Sequence, residues 1–377
     1  MILRTKDFQE AASKILLAVD KSNANLELAA QGTDLFLRVT NREIYAAVRF
    51  ALSETSDFRA VVDANLFLNL ISGINTDEFE LKLDTNCLHV KAGKSKYKLA
   101  LIFENDSLLK LPVIKLEPEQ VNVSMTVSQD VLSSILNVNA REVQKAKRVD
   151  VNELQKYFYL TADGCFTFTN GACINNFTLE KPITLLLTER LVRLFKLFNS
   201  DTYLSYGHIP NVDGSLQAIV TMQTADVYIA ARLLSDETCI QKVKAPCDAM
   251  KALANEVYAH SLVVSAVDMS AAVARLLMFY KNSTVDASRA FVPATITFTD
   301  TDLMITDASG ENTEVVTIEN GSNTVGGYAM GIDLLDLKAV LDSCKNEHIT
   351  MNCGNHRSVI LTRGSICNVI AETRTKE

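Results

Sequence analysis

The chain is sparse in the residues that break regular structure. Six prolines and fourteen glycines are spread over 377 residues, and no low-complexity tract interrupts them. This composition excludes a linker-rich or disordered chain, apart from the last few residues, TRTKE. No apolar run approaches the roughly 20 residues of a membrane-spanning helix. The opening MILRTKDFQEAASK lacks an apolar core of signal-peptide length, so a cytoplasmic location without membrane attachment is expected. Eight cysteines include no Cys-x-x-Cys pair and are expected as free, buried thiols. No strand–glycine–GK[ST]–helix phosphate loop is present, since GINTDEF and AGKSKYK lack that context. No Ser-His-Asp set is legible either, and His89, His208 and His260 look isolated. The formal net charge of −8 argues against a general nucleic-acid binder, although a whole-chain sum can hide a local basic surface.

What is present is repetition. Nearly the same arrangement occurs in LFLRVTNREIYAAVRFAL, FTFTNGACINNFTLE and DLMITDASGENTEVVTIE, where alternating residues run into a tight turn and out again. Each copy follows a short strand and an amphipathic helix: ILRTKDFQEAASKILLAVDKS, VSMTVSQDVLSSILNVNAREVQKAK and LVVSAVDMSAAVARLLMFYKNS. Apolar residues recur there at three and four, as with Phe8, Ala12, Ile15, Leu16 and Val19, and then Val131, Ile135 and Leu136. A second short helix follows each hairpin, with Asp63, Thr188 and Asp333 as candidate caps. Alternating strands close each unit. A period of about 125 residues is too long for a solenoid and suits whole domains. The reading is an α+β chain of three tandem domains, 1–118, 119–246 and 247–377, each with two helices on antiparallel sheets. The linkers are LKLPVIKLEPEQ and SDETCIQKVKAPCDAM, and a short extra helix is expected in CDAMKALANEVYAHS.

Cations fall on the helices of each unit. They are Lys6, Lys14 and Lys21 in the first, Arg141, Lys145, Arg148, Arg190, Arg193 and Lys196 in the second, and Arg275, Lys281, Lys338 and Lys345 in the third. Arg141, Lys145 and Arg148 are spaced by four and three, hence on one helical face. Such runs are usually solvated surface. Their recurrence in an acidic chain favours a basic lining that contacts phosphates without reading bases. Duplex held through its backbone charge is expected rather than stacked single strands.

Three domains in this order resemble the bacterial replicative sliding clamp, the beta subunit of DNA polymerase III. The resemblance rests on AVVDANLFLNLISGI and LHVKAGKSKYKLALI in the first unit, TNGACI at the place of the clamp's Thr-Asp-Gly-His-Arg-Leu motif, and the ending VIAETRT. It implies a head-to-tail homodimer closed as a six-domain ring around duplex DNA, with no active site and no cofactor. Its partners would be DNA polymerase, a clamp loader and other proteins that dock by a short peptide. Motif matching puts Leu154, Thr169, Gly171, Cys173, Ile174, Val243, Ser358, Val369 and Ile370 in the docking pocket, between the second and third domains. Leu108 and Leu109 are implied to meet Met278 and Phe279 of a second copy. Cys173 stands where the motif usually has Arg, Ala172 where it often has His, and Glu372 where Pro is expected. The alternatives are a divergent clamp-like scaffold or mobile-element clamp with altered partners, and a zinc enzyme built on Cys344, His348, Cys353 and His356. Against zinc, an odd spacing along a strand turns Cys353 and His356 to opposite faces.

Overall fold

The computed structural model describes residues 1–19, 25–41, 43–136, 157–167, 172–174, 179–211, 213–233, 237–282, 292–322, 327–344, 347–364 and 366–373. They form two compact units, one of residues 1–133 with 190–235 and the other of residues 134–189 with 236–377. Among the described residues all strand pairs are antiparallel and there are seven α-helices. No described helix is long and apolar enough to cross a membrane.

In the first unit the helix Thr5–Leu16 buries Phe8, Ala11, Ala12 and Ile15. These positions are spaced i, i+3, i+4 and i+7, one face of the helix. Leu16, which the apolar pattern assigns to the same stripe, turns away and is 43 % exposed. Phe8 is fully buried, with edge-on rings of Phe50 and Phe79 at 5.4 Å and Phe67 at 6.2 Å. Phe67 belongs to the helix Ala64–Ser72, which Asp63 caps by accepting the Leu66 N–H at 2.7 Å. Gln9 binds that helix at its other end, donating to the carbonyls of Ile71 (2.8 Å) and Ile74 (2.9 Å).

The helices pack on a six-stranded sheet ordered Asn25–Thr40, Ile44–Asp63, Val227–Leu233, Leu216–Gln223, Thr202–Pro210 and Val121–Val127. Its first two strands are the first of the three hairpins. Asn41 makes their turn by accepting the N–H groups of Glu43 (2.9 Å) and Ile44 (2.6 Å). A four-stranded sheet follows the order Ile2–Arg4, Glu78–Leu83, Cys87–Ala92, Ser95–Ala100.

The second unit is built on twelve strands. Leu185–Leu187, Phe158–Thr161, Gly164–Thr167 and Ala172–Ile174 continue into Ile366–Ala371, Ser358–Arg363, His348–Cys353 and His260–Ser265. Thr313–Ser322, Asp302–Asp307, Pro293–Phe298 and Tyr328–Asp333 complete the order. The other two hairpins lie here, Gly164–Thr167 with Ala172–Ile174 and Asp302–Asp307 with Thr313–Ser322. Period two divides the side chains between two cores. Val359, Leu361 and Ile370 join the helices Ala266–Asn282 and Leu334–Cys344 on one face, while Ile360 and Cys367 join the helix Glu237–Asn255 on the other.

That last helix departs from the sequence reading, which put a linker over its first half. It runs 19 residues with Pro246 inside it. Proline removes one ladder hydrogen bond, at a cost near ~3 kcal/mol in a helix interior. Val243, Cys247 and Met250, spaced by four and three, are all buried in the core and offset that cost at about 1.5–3 kcal/mol for each large apolar side chain.

Candidate functional site

The helical cations divide by what surrounds them. Lys21, Arg141, Lys145, Arg148 and Lys345 lie outside the described residues, and the side chain of Lys281 does too. Lys6 is exposed near the start of the first helix. Lys14, one turn from its end, pairs with Glu10 at 2.8 Å, and this contact holds the Glu10 carboxyl below its ordinary range. Arg190 donates to the carbonyl of Ala18 at 3.0 Å. Arg193 is exposed on the helix Glu189–Leu194, and Lys196 is exposed on the 3₁₀ turn Phe195–Leu197 that continues it. The stripe read as one helix therefore tightens in its last turn. Arg275 grips both oxygens of Glu314, at 2.8 and 2.6 Å, and Lys338 pairs with Asp342 at 2.5 Å. Counting cations missed these acids, yet Glu10–Lys14 and Lys338–Asp342 were visible as i, i+4 pairs. Exposed pairs of this spacing are weak.

The residues matched to the docking pocket divide as well. Leu154, Thr169 and Gly171 fall outside the described residues, and Cys173 and Ile174 are described by backbone alone. Their strand Ala172–Ile174 bridges the hairpin to the C-terminal strand, with Cys173 opposite Cys367 and Ile174 opposite Ile366. Val243 and Val369 share one apolar cluster with Tyr159, Phe166, Met250 and Ile360. Ser358 is buried on the Ile360 face, two residues away along the strand. Ile370 is not in this group: adjacent to Val369 on a strand, it points into the opposite core and is 2 % exposed.

The cluster is packed rather than hollow at Val243, which is 1 % exposed beneath its helix, whereas Val369, Leu253 and Ala254 remain half-buried. Lys251 fastens this helix to the turn between Phe158–Thr161 and Gly164–Thr167, pairing with Asp163 and lying 5.6 Å from the Phe166 ring centroid. The ammonium keeps the Asp163 carboxyl below its usual range. The aromatic floor, Tyr159 and Phe166, was not singled out by motif matching; Phe166 opens the alternating FTFTN, and Tyr159 stands opposite it on the paired strand. Glu372 also has a structural reason to replace proline. Its N–H donates to the Arg357 carbonyl at 2.9 Å, a bond proline cannot make.

Met278 and Phe279 are 56 % and 55 % exposed on the helix Ala266–Asn282, so packing within their own unit does not account for them. Leu108 and Leu109 are half-buried in the other unit. The Leu109 carbonyl accepts from Arg59 at 2.7 Å, and Arg59 is itself held by the buried Glu27 at 2.5 Å.

The four donors of the zinc alternative do not converge. His348 is bound to Glu319 at 2.6 Å and His356 to Glu256 at 2.7 Å, while Cys344 donates to the Val340 carbonyl. Burial pushes the Cys353 thiol up to about 12, so it resists becoming the thiolate a metal needs.

No family model and no curated protein matches the chain. Solved structures do. The DNA polymerase III beta subunit of Thermotoga maritima aligns with a TM-score of 0.73 at 13 % identity, covering 100 % of this chain and 99 % of that one. The DNA polymerase beta subunit of Streptococcus pyogenes aligns at 0.72 and 15 % identity, covering 99 % of each chain. A sliding clamp of Pseudomonas aeruginosa bound to griselimycin aligns at 0.71 and 13 % identity, again covering 99 % of each. Over its whole length, this chain has the fold of the DNA polymerase III beta sliding clamps.

Proposed function

We propose that the protein is a non-catalytic, intracellular sliding clamp. Two copies join head to tail into a ring of six domains, with boundaries in each chain near 118 and 246, and hold duplex DNA inside. The observation that carries this reading is the fold match to beta subunits over 100 % of this chain and 99 % of the Thermotoga maritima chain. Exposed cations such as Lys6 and Lys196 would meet phosphates, with Lys14, Arg275 and Lys338 joining as they exchange their acids. Leu108 and Leu109 of one copy would meet Met278 and Phe279 of the next. A polymerase or clamp-loader peptide would set an apolar side chain against Val369 and the half-buried flank of the helix Glu237–Asn255. With Cys173 where a long cation is usual, that contact would depend on apolar anchors more than on an acidic partner residue.

The deciding experiment is retention on DNA after loading. Protein loaded onto nicked circular DNA stays bound through a wash at moderate salt and leaves when the circle is linearised. Equal loss from circles and linear fragments rejects encirclement. The scaffold alternative draws support from the three paired cations, Lys14, Arg275 and Lys338, and predicts a dimer that never loads.

A further inference from the structure

The turn between the strands Glu78–Leu83 and Cys87–Ala92 gathers three different metal-ligating groups. Cys87 Sγ lies 3.2 Å from His89 Nε2 and 3.9 Å from Asp84 Oδ2, and the same His89 nitrogen lies 3.6 Å from that oxygen. We propose that Asp84, Cys87 and His89 bind a thiophilic divalent cation of the Zn²⁺ type, holding three of its four tetrahedral positions and leaving the fourth to solvent.

The geometry favours a cation over the other use of such residues. In a nucleophile–histidine–carboxylate relay, thiol and carboxylate take opposite ring nitrogens, so that one proton can pass along the line. Here both converge on Nε2, which can carry only one proton and cannot serve both. A metal ion in the middle of the triangle satisfies all three donors. With Zn–S near 2.3 Å and Zn–N and Zn–O near 2.0–2.2 Å, tetrahedral angles put donor atoms roughly 3.4–3.6 Å apart. The three separations here, 3.2, 3.6 and 3.9 Å, bracket that range.

The supporting contacts are in place. Asp84 Oδ1 accepts the Thr85 N–H at 2.8 Å, which leaves Oδ2 on the side of the thiol. The Asp84 N–H donates to the Cys87 carbonyl at 2.9 Å and fixes the turn. Cys87 is 3 % exposed, whereas the side chains of His89 and Asp84 are 42 % and 63 % exposed, so a cation reaches the buried sulfur from solvent past the other two. Lys82 and Lys98 stand opposite His89 on the neighbouring strands, with exposed side chains. Their charge opposes a cation, against the closer attraction of the Asp84 carboxylate and the Cys87 thiolate.

The test uses the full chain, reduced with a phosphine, titrated with Zn²⁺ against a chromophoric chelator and separately with Co²⁺. One equivalent per chain is expected, with the thiolate-to-cobalt charge-transfer band of a sulfur ligand. His89→Gln and Asp84→Asn, both at exposed side chains, should each weaken binding at least about tenfold. Cys87→Ser should abolish the band. An unchanged circular dichroism spectrum keeps these losses from being read as unfolding. Absence of the band from the wild-type chain, its survival in Cys87→Ser, or undiminished affinity in both His89→Gln and Asp84→Asn overturns the proposal.

Discussion

Replacing Met278 and Phe279 together by alanine separates the proposed dimer contact from folding. The two side chains are 56 % and 55 % exposed in the single chain. A phenylalanine offers roughly 200 Å² and methionine about as much, so close to 200 Å² of apolar area stands open between them. Covering it against a second copy is worth about 5 kcal/mol at ~25 cal/mol per Å². Alanine keeps about a third of that area, so the double variant loses about 3 kcal/mol at each of the two contacts of a closed dimer, or roughly four decades in its dissociation constant. Folding stability changes little, because the area removed is already in water before association. Sedimentation equilibrium across a concentration series reads the first quantity and urea unfolding of the monomer reads the second. A dissociation constant within about threefold of wild type refutes the assignment. So does a large fall in monomer stability, which would mean the side chains pack within their own unit.

The other perturbations probe the proposed DNA and peptide surfaces. Lys196→Ala should weaken binding to linear duplex and lower the slope of log affinity against log salt by about one, whereas Lys338→Ala, at a cation already matched by Asp342, should change the slope less; equal changes would remove the distinction. Val369→Asp should abolish calorimetric binding of a Leu/Phe-bearing peptide, expected near micromolar, about −8 kcal/mol, while dimer mass stays the same; retained affinity would move the docking face elsewhere. Asp163→Asn tests the fastening of the long helix. The folded carboxyl titrates below its unfolded value of about 3.9, so its stabilising contribution is present above that pH and fades as pH falls through the folded value. The pair is partly exposed and is worth under about 1 kcal/mol, so acid unfolding curves of wild type and variant should converge once the pH has fallen through the lowered folded value; a constant gap would assign the effect to packing.

Much of this architecture was legible because it rests on local chemistry repeated in the chain. The hairpin around Asn41 could be read from LRVTNREI, since an asparagine side chain that accepts two following N–H groups makes the turn by itself. Asp63 was legible as a cap for the same reason. What the sequence hid depends on three dimensions. Val369 and Ile370 are adjacent and equally apolar, and only the strand's pleat sends them to different cores. The helix Glu237–Asn255 was obscured by Pro246, whose local cost is outweighed by burial against strands more than a hundred residues away in sequence. Cation counting fared worst, because Arg275 meets Glu314 across 39 residues, a pairing no helical periodicity announces.

Those pairings bear on how an acidic chain could hold DNA. Three described helical cations already face a carboxylate, and the chain carries a net charge of −8. Each phosphate contact at such a site must first displace an acid, and the displaced carboxylate then stands near the duplex and repels it. The net gain per contact is therefore below that of a lone lysine. A protein that depended on these contacts alone would fall off at physiological salt, since phosphate binding weakens steeply with ionic strength. Closure around the duplex removes that requirement: an unbroken ring need not bind tightly in order to stay. Weak and exchangeable contacts would then carry an advantage, because no single position along the DNA would hold the proposed ring. The paired cations are thus compatible with a topological tether and argue against a high-affinity electrostatic site, so the salt resistance of the circular complex separates topological from electrostatic holding.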